Sequence, residues 1–400
     1  MKPQGPLTGM KVIELAHIMA GPACGMMLAD MGADVTKVEK PDGDDSRRFL
    51  PPDIEGESAA FMMMNRNKRG IALNLKDPDA ITVLRTMLDS ADVVIENYRH
   101  DTMGRLGLGY ETLRKSNPKL VYCAVSGFGR TGPYAERGGF DLIAQGMSGL
   151  MSITGEGPGR PPVKPGAPIA DITAGFLAAL GCVAAYSRAQ ATGEGQMVDT
   201  SLFEAGISLT YWQSAIAFAT GQAPGAMGSA HPLNAPYQSF RTRDGWINIG
   251  AANQRNWLRL LDVIDAPELD EDPRFGSNLD RMNNLAALVP ILESHLEHRD
   301  TDDWIACMDA AGLPAGPVMD ICQMHRDPQA LARDMIVETD HPVAGPVKAI
   351  GLPVKFSETP GGVVRPAPTL GQHGQEILAE HGYSQDQIKA LKSQGALIVA

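Results

Sequence analysis

The sequence has few cysteines, no excess of basic charge and no long apolar run, and each shortage excludes a class of protein. Its five cysteines among 400 residues show no Cys-x-x-Cys spacing, which argues against a disulfide framework and favours a reducing, cytoplasmic compartment. A formal net charge of −12 without a basic stripe argues against a nucleic-acid partner. The longest apolar run, residues 172–186, is too short to span a bilayer, and the N-terminus lacks an apolar signal segment. We therefore expect neither membrane insertion nor secretion.

The length exceeds what one hydrophobic core usually supports, so we expect two compact units. Apolar residues make up 44% of the chain and charged residues 20%, which is ordinary for a globular α/β enzyme. A Gly/Pro-rich crossing near Gly225 separates a large N-terminal part, residues 1–224, from a smaller α+β domain at 225–330. Residues 331–400 return to strand-like and helical segments.

Short β-rich runs alternate with helical stretches in the first half of the chain. The runs MKVIEL, DVTKVEK, IALNL, DVVIEN and LVYCAVSGF predict strands, and residues 77–91 predict a helix between two of them. This order is typical of a parallel, doubly wound sheet. In the second half, an Asp244-Gly245 turn between two β-rich runs predicts a hairpin. Helices are predicted after it, near 256–264, 284–298 and 301–311.

Asp171 follows a Gly/Pro-rich loop, residues 154–168, and precedes a helical stretch. One interpretation is structural, because aspartate is a preferred N-cap residue. The other is catalytic, because a carboxylate at the positive end of a helix stays ionised and is available as a nucleophile. The residues by themselves leave both interpretations open.

Other patterns are less specific. Residues 17–22 form the first βα turn, whose amides either meet a ligand or simply start a helix. The segment Gly127–Gly132 spells G-x-G-x-x-G, but no long helix follows it, which argues against a dinucleotide. His295 and His298 have helical metal-ligand spacing without a third ligand, so we expect no metal site. Eight basic residues indicate either an anion site or a face paired with nearby acids: Lys37, Lys40, Arg47, Arg48, Arg66, Lys68, Arg69 and Lys76.

Motifs along almost the whole chain resemble, in order, those of the class III CoA-transferases, the CaiB/BaiF family. They include PLTGMKVIEL, IMAGP, NRNKRGIALNLK, DVVIENY, SGFGRTGP, PGAPIADITAG, TGEGQMVDTSLFEA, LPAGPV and PTLGQHGQEIL. The resemblance implies a Rossmann-like large α/β domain with a parallel sheet and a smaller α+β domain. It also implies that residues 331–400 return to the large domain, and that two chains interlock as a homodimer.

By the same resemblance, the aspartate of PGAPIADITAG, Asp171, matches the family's catalytic nucleophile. Coenzyme A thioesters are then substrates, and no permanent cofactor or metal is implied. The positions that match coenzyme A contacts are Ile18, Ala20, Lys40, Leu73, Lys76, Asn97, Tyr98, Thr102 and Arg105. Among them, Lys40, Lys76 and Arg105 would supply charge for the phosphates. Leu73 and Tyr98 would pack on the adenine.

The implied chemistry moves CoA from an acyl-CoA to a carboxylic acid through a mixed anhydride and an aspartyl-CoA thioester. One alternative is an acyl-CoA racemase of the same superfamily, but Phe140 stands where that branch has a histidine base. A non-catalytic CoA-binding protein is the alternative from another class. An intact Asp171 argues against it.

The region 228–254 is more similar to the succinyl-CoA:glutarate branch of the family than to formyl-CoA transferase, which favours dicarboxylate substrates. His17, Arg241 and Arg243 are then candidates to pair with a distal carboxylate. The segment Gly250–Gln254 matches a mobile glycine loop of the family. Its two alanines put the same degree of mobility in doubt.

Overall fold

The computed structural model describes residues 4–399 and divides the chain into two compact units. The larger unit comprises the chain up to residue 150, residues 165–210 and the chain from residue 328 onward. The smaller unit comprises residues 151–164 and 211–327. Its main segment therefore begins at Tyr211 and not near Gly225. A Gly/Pro-rich segment marks a turn of the backbone, whereas the helix before that turn already belongs to the smaller unit.

The strands of the described residues, numbered β1 to β14 in chain order, are Lys11–Leu15, Asp34–Glu39, Asp53–Ile54, Glu57–Ser58, Arg69–Leu73, Val93–Glu96, Val121–Ser126, Met197–Ser201, Tyr237–Arg241, Trp246–Gly250, Ala315–Pro317, Ile336–His341, Gly345–Ile350 and Leu397–Ile398.

The α-helices of the same residues, numbered α1 to α19 in chain order, are Ala20–Asp30, Ala59–Asn65, Pro78–Asp89, Thr102–Arg105, Tyr110–Ser116, Asp141–Met147, Leu150–Ile153, Ile169–Thr192, Leu202–Ser208, Tyr211–Thr220, Gln254–Ile264, Glu268–Glu271, Asn278–Asn283, Leu285–Leu296, Thr301–Ala310, Ile321–Met324, Pro328–Ala332, Gly374–Glu380 and Gln385–Gln394. A short 3-10 helix spans Asp45–Arg48.

The larger unit is built on a seven-stranded sheet with the order β14-β5-β2-β1-β6-β7-β8. Six of its strands are parallel, and β14 adds an antiparallel edge against β5. The predicted parallel, doubly wound sheet is confirmed. The strand order reverses between β1 and β6, and ligands of such sheets bind beyond the carboxyl ends of the strands at that reversal.

Buried apolar side chains on both faces of the sheet explain why these strands have little alternation of polarity. β6 is buried throughout, and β1 is buried after its first residue, as expected for parallel strands covered by helices on each side. On one face α1 and α8 pack closely, because Gly175 leaves no side chain between them. A Cβ atom at Gly175 would lie 2.6 Å from the carbonyl oxygen of Ala20.

Helix α8 has 24 residues with a mean hydropathy of 1.7, which is long and apolar enough to cross a membrane by length and composition alone. The helix is longer than the uninterrupted apolar run at 172–186, so that run alone does not indicate a segment of this length. One such helix is weak support for a membrane span, since core helices pass the same test. Eight of its 24 residues are buried, among them Ala174, Ala178 and Cys182, which lie in the core beside α1.

The smaller unit has its own core and a three-stranded sheet with the order β11-β10-β9. The hairpin predicted around Asp244-Gly245 is confirmed, with β9 and β10 pairing antiparallel. The helices predicted after it are confirmed as α11, α14 and α15. Its core is centred on Trp257, Phe240 and Phe275.

Candidate active site

A cavity of about 380 Å³ lies where the strand order reverses, beyond the carboxyl ends of β1 and β6. We call it the switch-point cavity. Its lining joins five residues that the sequence analysis selected: Ile18, Ala20, Asn97, Tyr98 and Asp171. The first βα turn, the end of β6 and the start of α8 therefore meet at one place, although they are far apart in the chain.

Two glycines let the backbone close one wall of this cavity. Gly127 follows β7, and Gly139 precedes α6. A Cβ atom on Gly127 would lie 2.7 Å from the Cα atom of Gly139, so a side chain at either position would push the two segments apart. The G-x-G-x-x-G pattern thus serves a close backbone approach beside the predicted nucleophile.

Asp171 does not cap its helix. Helix α8 begins at Ile169, and the cap position before it is Pro168, which makes no side-chain hydrogen bond to the helix. The amides of Ala170 and Asp171 instead donate to the carboxylate Oδ1 of Asp141, at 2.9 and 3.3 Å. Asp141 therefore takes the capping role, and the structural interpretation of Asp171 as an N-cap is wrong.

The carboxyl group of Asp171 lies in an environment that disfavours its charge. Burial, and then the negative charge of Asp141, raise the pKa of Asp171 from 3.8 to about 7. The positive end of a helix by itself would keep this carboxyl group fully ionised. At neutral pH it is instead poised between its two forms, which is common for catalytic carboxyl groups.

The turn between β1 and α1 is held by side chains from neighbouring strands. Asn97 accepts a hydrogen bond from the amide of His17 at 3.0 Å and donates one to the carbonyl of His17 at 2.8 Å. The Tyr98 ring lies beside the His17 ring, with centroids 5.8 Å apart. Burial lowers the pKa of His17, so this imidazole is neutral at neutral pH and offers a hydrogen bond, not a charge.

A buried ion network supports the same turn. Lys37 lies 3.1 Å from Glu14 and 2.9 Å from Asp44, and all three side chains are buried. Burial disfavours the charges, but Lys37 outweighs it and holds the pKa of Asp44 far below its usual value. The carboxylates of Glu14 and Asp44 raise the pKa of Lys37 in turn, against its own burial.

The other predicted basic residues are also mostly engaged within the chain. Arg66 pairs with Asp30, and Arg47 with Glu39, in each case at 2.7 Å. Most of the set belongs to intramolecular pairs, several of them buried, and not to a solvated face. Lys40 is also paired, with Asp45 at 2.7 Å. Apart from Lys76, the set therefore offers little charge to a ligand.

The cavity contains cations that the sequence analysis did not select. Arg137 lies over the Tyr134 ring, with its guanidinium carbon 4.6 Å from the ring centroid, and also beside Phe128. Among residues 4–399 no carboxylate pairs with it within 4.0 Å. Arg130, by contrast, is paired closely with the buried Glu96. Arg137 lies just after the G-x-G-x-x-G pattern, in the polar segment 133–139. An arginine near aromatic residues in such a segment could have been selected from the sequence as a candidate ligand contact.

Not all predicted coenzyme A contacts lie at the switch-point cavity. Lys40 lines a neighbouring cavity with Tyr98 and Asp44, and Thr102 lines a third with Glu96 and Arg130. Lys76 and Arg105 are exposed and line none of these three cavities.

Leu73 is the one predicted contact whose side chain has no surface to offer. It is 1% exposed, inside β5, where it pairs with Leu397 of β14. The C-terminal strand covers it, and this long-range pairing has no local sequence signal. The prediction that the Leu73 side chain packs on adenine is therefore wrong for this chain.

Among the described residues, only Cys24, Cys123 and Cys182 form a group that meets the spacing of metal ligands, with their sulfur atoms within 4.8 Å of one another. All three are buried in the apolar core beside α1 and α8. Three thiolates there would have no neighbouring cation to balance their charge, so we interpret them as neutral thiols that pack as small apolar side chains.

The segment 250–254, which matches a mobile loop of the family but contains two alanines, makes backbone hydrogen bonds within the smaller unit. The amide of Gly250 donates to Pro314 at 2.9 Å, and that of Ala251 donates to Pro236 at 3.0 Å. Ala251 is fully buried, and Asn253 caps α11.

Comparisons with known proteins show which family this chain resembles in sequence and structure. The chain matches the model of CoA-transferase family III over residues 7–374. It is 39% identical to a succinate–glutarate CoA-transferase of Agrobacterium fabrum over 382 residues, which cover 94% of this chain and 95% of the relative. It is 35% identical to the human succinyl-CoA:glutarate CoA-transferase over 376 residues, covering 94% of this chain and 86% of the relative.

A solved structure is also similar. The crystal structure of a CaiB/BaiF family protein from Brucella suis superposes with a TM-score of 0.85 at 39% identity, covering 94% of this chain and 100% of that one. The match over most of the chain, in sequence and in structure, establishes that this protein belongs to CoA-transferase family III.

Proposed function

We propose that this protein transfers coenzyme A from an acyl-CoA donor to a dicarboxylate acceptor, with Asp171 as the nucleophile. The observation that carries the proposal is the switch-point cavity, where Asp171 meets Ile18, Asn97 and Tyr98. A family of CoA-transferases provides the reaction class, and the cavity provides a carboxyl group at the position where an open α/β sheet binds its ligand.

The proposed reaction needs only carboxylates and thioesters. A carboxylate oxygen of Asp171 attacks the thioester carbonyl, the C–S bond breaks, and a mixed anhydride and a CoA thiolate form. The thiolate then attacks the Asp171 carbonyl carbon, releasing the donor as a free carboxylate and leaving an aspartyl-CoA thioester. The acceptor carboxylate attacks this thioester and expels the thiolate again. Attack of that thiolate on the acceptor carbonyl yields the new acyl-CoA and frees Asp171.

The environment of Asp171 suits this role. With a pKa of about 7, the group is ionised in a substantial fraction of molecules at neutral pH and remains a basic, reactive carboxylate. A carboxylate held by a cation would be a weaker nucleophile. Among residues 4–399 no Lys, Arg or His lies within 4.0 Å of the Asp171 carboxylate.

Dicarboxylates are the proposed acyl groups because the two relatives named above act on succinate or succinyl-CoA and on glutarate. Of the candidates for the distal carboxylate, His17 is neutral, and Arg243 already pairs with Asp300 at 2.6 Å. Arg241 lies beside the Trp246 ring in the smaller unit and does not line the switch-point cavity. Arg137 lines the cavity with an unpaired guanidinium. We therefore assign an anionic group of the substrate, either a phosphate of CoA or the distal carboxylate, to Arg137.

The racemase alternative finds no support at the same place. Proton exchange at C2 needs a base beside the nucleophile, and the cavity has Phe140 directly before Asp141. A non-catalytic CoA-binding protein would keep the cavity but has no need of a carboxyl group with a raised pKa. Turnover separates it from a transferase.

We also propose that the protein is a homodimer in which the two chains interlock, and that it works in the reducing cytoplasm. The larger unit exposes apolar side chains on α6, α8 and α9, which pack beside one another. They include Leu142 at 51%, Ile143 at 44%, Phe176 at 42%, Leu180 at 67% and Ile207 at 44% exposed. A patch of this kind is unusual on a monomer and is typical of an interface. Light scattering that found a folded monomer at micromolar concentration would contradict the dimer.

A matrix of acyl-CoA donors against carboxylate acceptors, analysed by mass spectrometry, tests the function. Succinyl-CoA with glutarate is expected among the best pairs, and formyl-CoA with oxalate among the worst. Incubation with succinyl-CoA and then hydroxylamine should inactivate the enzyme and place a hydroxamate on the peptide that carries Asp171. A protein that binds succinyl-CoA but forms no new thioester with any acceptor would be a binding protein.

A further inference from the structure

Ile18 has a backbone conformation that its side chain disfavours. Its φ angle is +67°, in the left-handed region where a β-branched residue is a rare exception. Such a conformation is strained and persists only where the surrounding structure holds it. Ile18 also lines the switch-point cavity beside Asp171, so the strain is located at the site of the proposed reaction.

The carboxylate of Asp44 holds Ile18 in this conformation. The amide of Ile18 donates to both oxygens of Asp44, at 3.1 and 3.2 Å. The amide and hydroxyl of Ser46 donate to the same carboxylate, at 2.9 and 2.8 Å. Asp44 is 4% exposed, and its carboxylate accepts these hydrogen bonds from groups of the chain itself.

Lys37 fixes Asp44 relative to the turn. Its ammonium lies 2.9 Å from Asp44 and donates to the carbonyl of Ala16 at 2.8 Å. Glu14 accepts from Lys37 and also from Lys68, which donates to the carbonyl of Pro22 at 3.0 Å. The ion network therefore touches the chain before, within and after the strained turn.

The polar backbone atoms of this turn fall into two groups: those that bond to supporting side chains, and those at the helix start that face the cavity. Side chains satisfy the carbonyl of Ala16, both backbone groups of His17 and the amide of Ile18. The cap residue of α1, Met19, makes no side-chain hydrogen bond to the helix, and Met19 and Ala20 both line the cavity. The uncapped helix start is thus held at the cavity by contacts that lie behind it.

We propose that Asp44 is a positioning residue for acyl-CoA binding, which holds Ile18 in the left-handed conformation and thereby keeps the start of α1 in its binding arrangement. This inference rests on the proposed function and extends it to a group that does not contact the substrate. Without Asp44 the turn relaxes to negative φ in most molecules. The apparent affinity for acyl-CoA then falls in proportion to the fraction of molecules that keep the left-handed turn.

The test is a cycle of three variants, Asp44→Asn, Ile18→Gly and the double variant, with succinyl-CoA as the probe. We expect Asp44→Asn to raise KM for succinyl-CoA by roughly tenfold, while kcat changes by less than about threefold. In the Ile18→Gly background the same change should raise KM by less than about threefold, because glycine adopts positive φ without cost. Asp42→Asn, the same chemical change at an exposed neighbour, should leave both parameters unchanged.

A purely structural Asp44 gives a different pattern. It would lower the active fraction, and therefore kcat, without raising KM, and glycine at position 18 would not rescue it. An unchanged KM in Asp44→Asn, or an equal loss in the glycine background, would overturn the proposal. If Asp44→Asn does not fold, Ser46→Ala removes one of the bonds that orient Asp44. It should raise KM about twofold, and again not in the Ile18→Gly background.

Failure of the proposed function is distinguishable from failure of this inference. A wild-type protein that transfers no CoA between any pair would refute the function, and the same cycle would then be measured as the Kd for succinyl-CoA by calorimetry. A wild-type protein that transfers CoA, with no dependence of KM or Kd on Asp44, would refute the positioning role alone. Absence of succinyl-CoA binding by the wild type would refute both.

Discussion

Asp44 and Asp171 are two largely buried aspartates near the same cavity, and their surroundings push them in opposite directions. Asp44 has Lys37 at 2.9 Å and accepts bonds from the Ile18 and Ser46 amides, which keeps its pKa far below the usual value. Asp171 has burial and the charge of Asp141, which raise its pKa to about 7. Burial is common to both, so the sign of the neighbouring charge decides which carboxyl group has a lowered pKa and which has a raised one.

The same distinction separates two arginines of the site. Arg130 is paired with the buried Glu96, whereas Arg137 lies over an aromatic ring without a carboxylate partner. A paired charge is already committed to the fold, while an unpaired charge in a cavity is available to a ligand. The presence or absence of an ion-pair partner therefore distinguishes structural charged residues from those available to a ligand more clearly than burial does.

The strongest test of the comparison removes the charge of each aspartate in turn. Asp171→Asn should lower kcat for CoA transfer by at least about 10³-fold, because an amide cannot replace the anionic nucleophile. Fold and oligomeric state should persist, since Asp141 and not Asp171 caps the helix. Asp44→Asn should affect KM and leave most of kcat. Near wild-type turnover in Asp171→Asn, without deamidation back to aspartate, would contradict the nucleophile.

A second test compares Arg137, the unpaired arginine of the larger unit, with Arg243, a paired arginine of the smaller unit. Arg137→Gln should raise KM for succinyl-CoA by roughly tenfold, because a charge-assisted contact to an anionic group is lost. Arg243→Gln is the matched control, since Arg243 is exposed and paired with Asp300, and it should leave KM unchanged. Steady-state kinetics with both variants decides, and equal KM values for Arg137→Gln and wild type would exclude the assigned contact.

A third test changes the charge beside the nucleophile. If ionised Asp171 is the reacting form, kcat/KM should rise with pH through a midpoint near the pKa of about 7. Asp141→Asn removes the charge that helps to raise this pKa but keeps an oxygen that can accept the amides of α8. The midpoint of the pH–rate profile should therefore move to lower pH. An unmoved midpoint would mean that Asp141 acts only as a cap.

The smallest expected effect is on stability, and its sign differs between the two aspartates. The folded pKa of Asp171 lies above its ordinary value of 3.8, so its contribution to stability falls as pH rises from about 4 to about 7. Asp171→Asn removes this loss and should be more stable than wild type at pH 8 by roughly 1–3 kcal/mol, with a smaller difference at pH 4. Denaturant unfolding at both pH values measures it.

Asp44 should show the opposite dependence. Its folded pKa is depressed, so its stabilising contribution is present above the unfolded pKa and is lost only as the pH falls into the acid range. Asp44→Asn should therefore be less stable than wild type at pH 8, and the difference should shrink in acid. Parallel pH dependence for the two variants would remove the physical basis of the comparison.

The sequence by itself determined the order of strands and helices in the larger unit, the hairpin of the smaller unit and the location of Asp171 near a helix start. Each of these depends on local patterns: apolar runs of strand length, glycine and proline at turns, and residues that follow one another closely. The ordered motifs also indicated the family, which the comparisons establish. The site residues at the carboxyl ends of β1 and β6 were indicated by the resemblance to the family, and they lie together because parallel strands end at one edge of the sheet.

Only the tertiary structure decided what each group does. It brought Asp141 to the amides of α8, 29 residues away, and Asp44 to the amide of Ile18, 26 residues away. It also covered Leu73 with the C-terminal strand. A pKa or the strain of a turn depends on charges and donors within a few ångströms, and these come from segments whose packing leaves no periodic signal in the chain. The position of Asp171 near a helix start was therefore legible in the sequence, whereas the balance of charges around it was not.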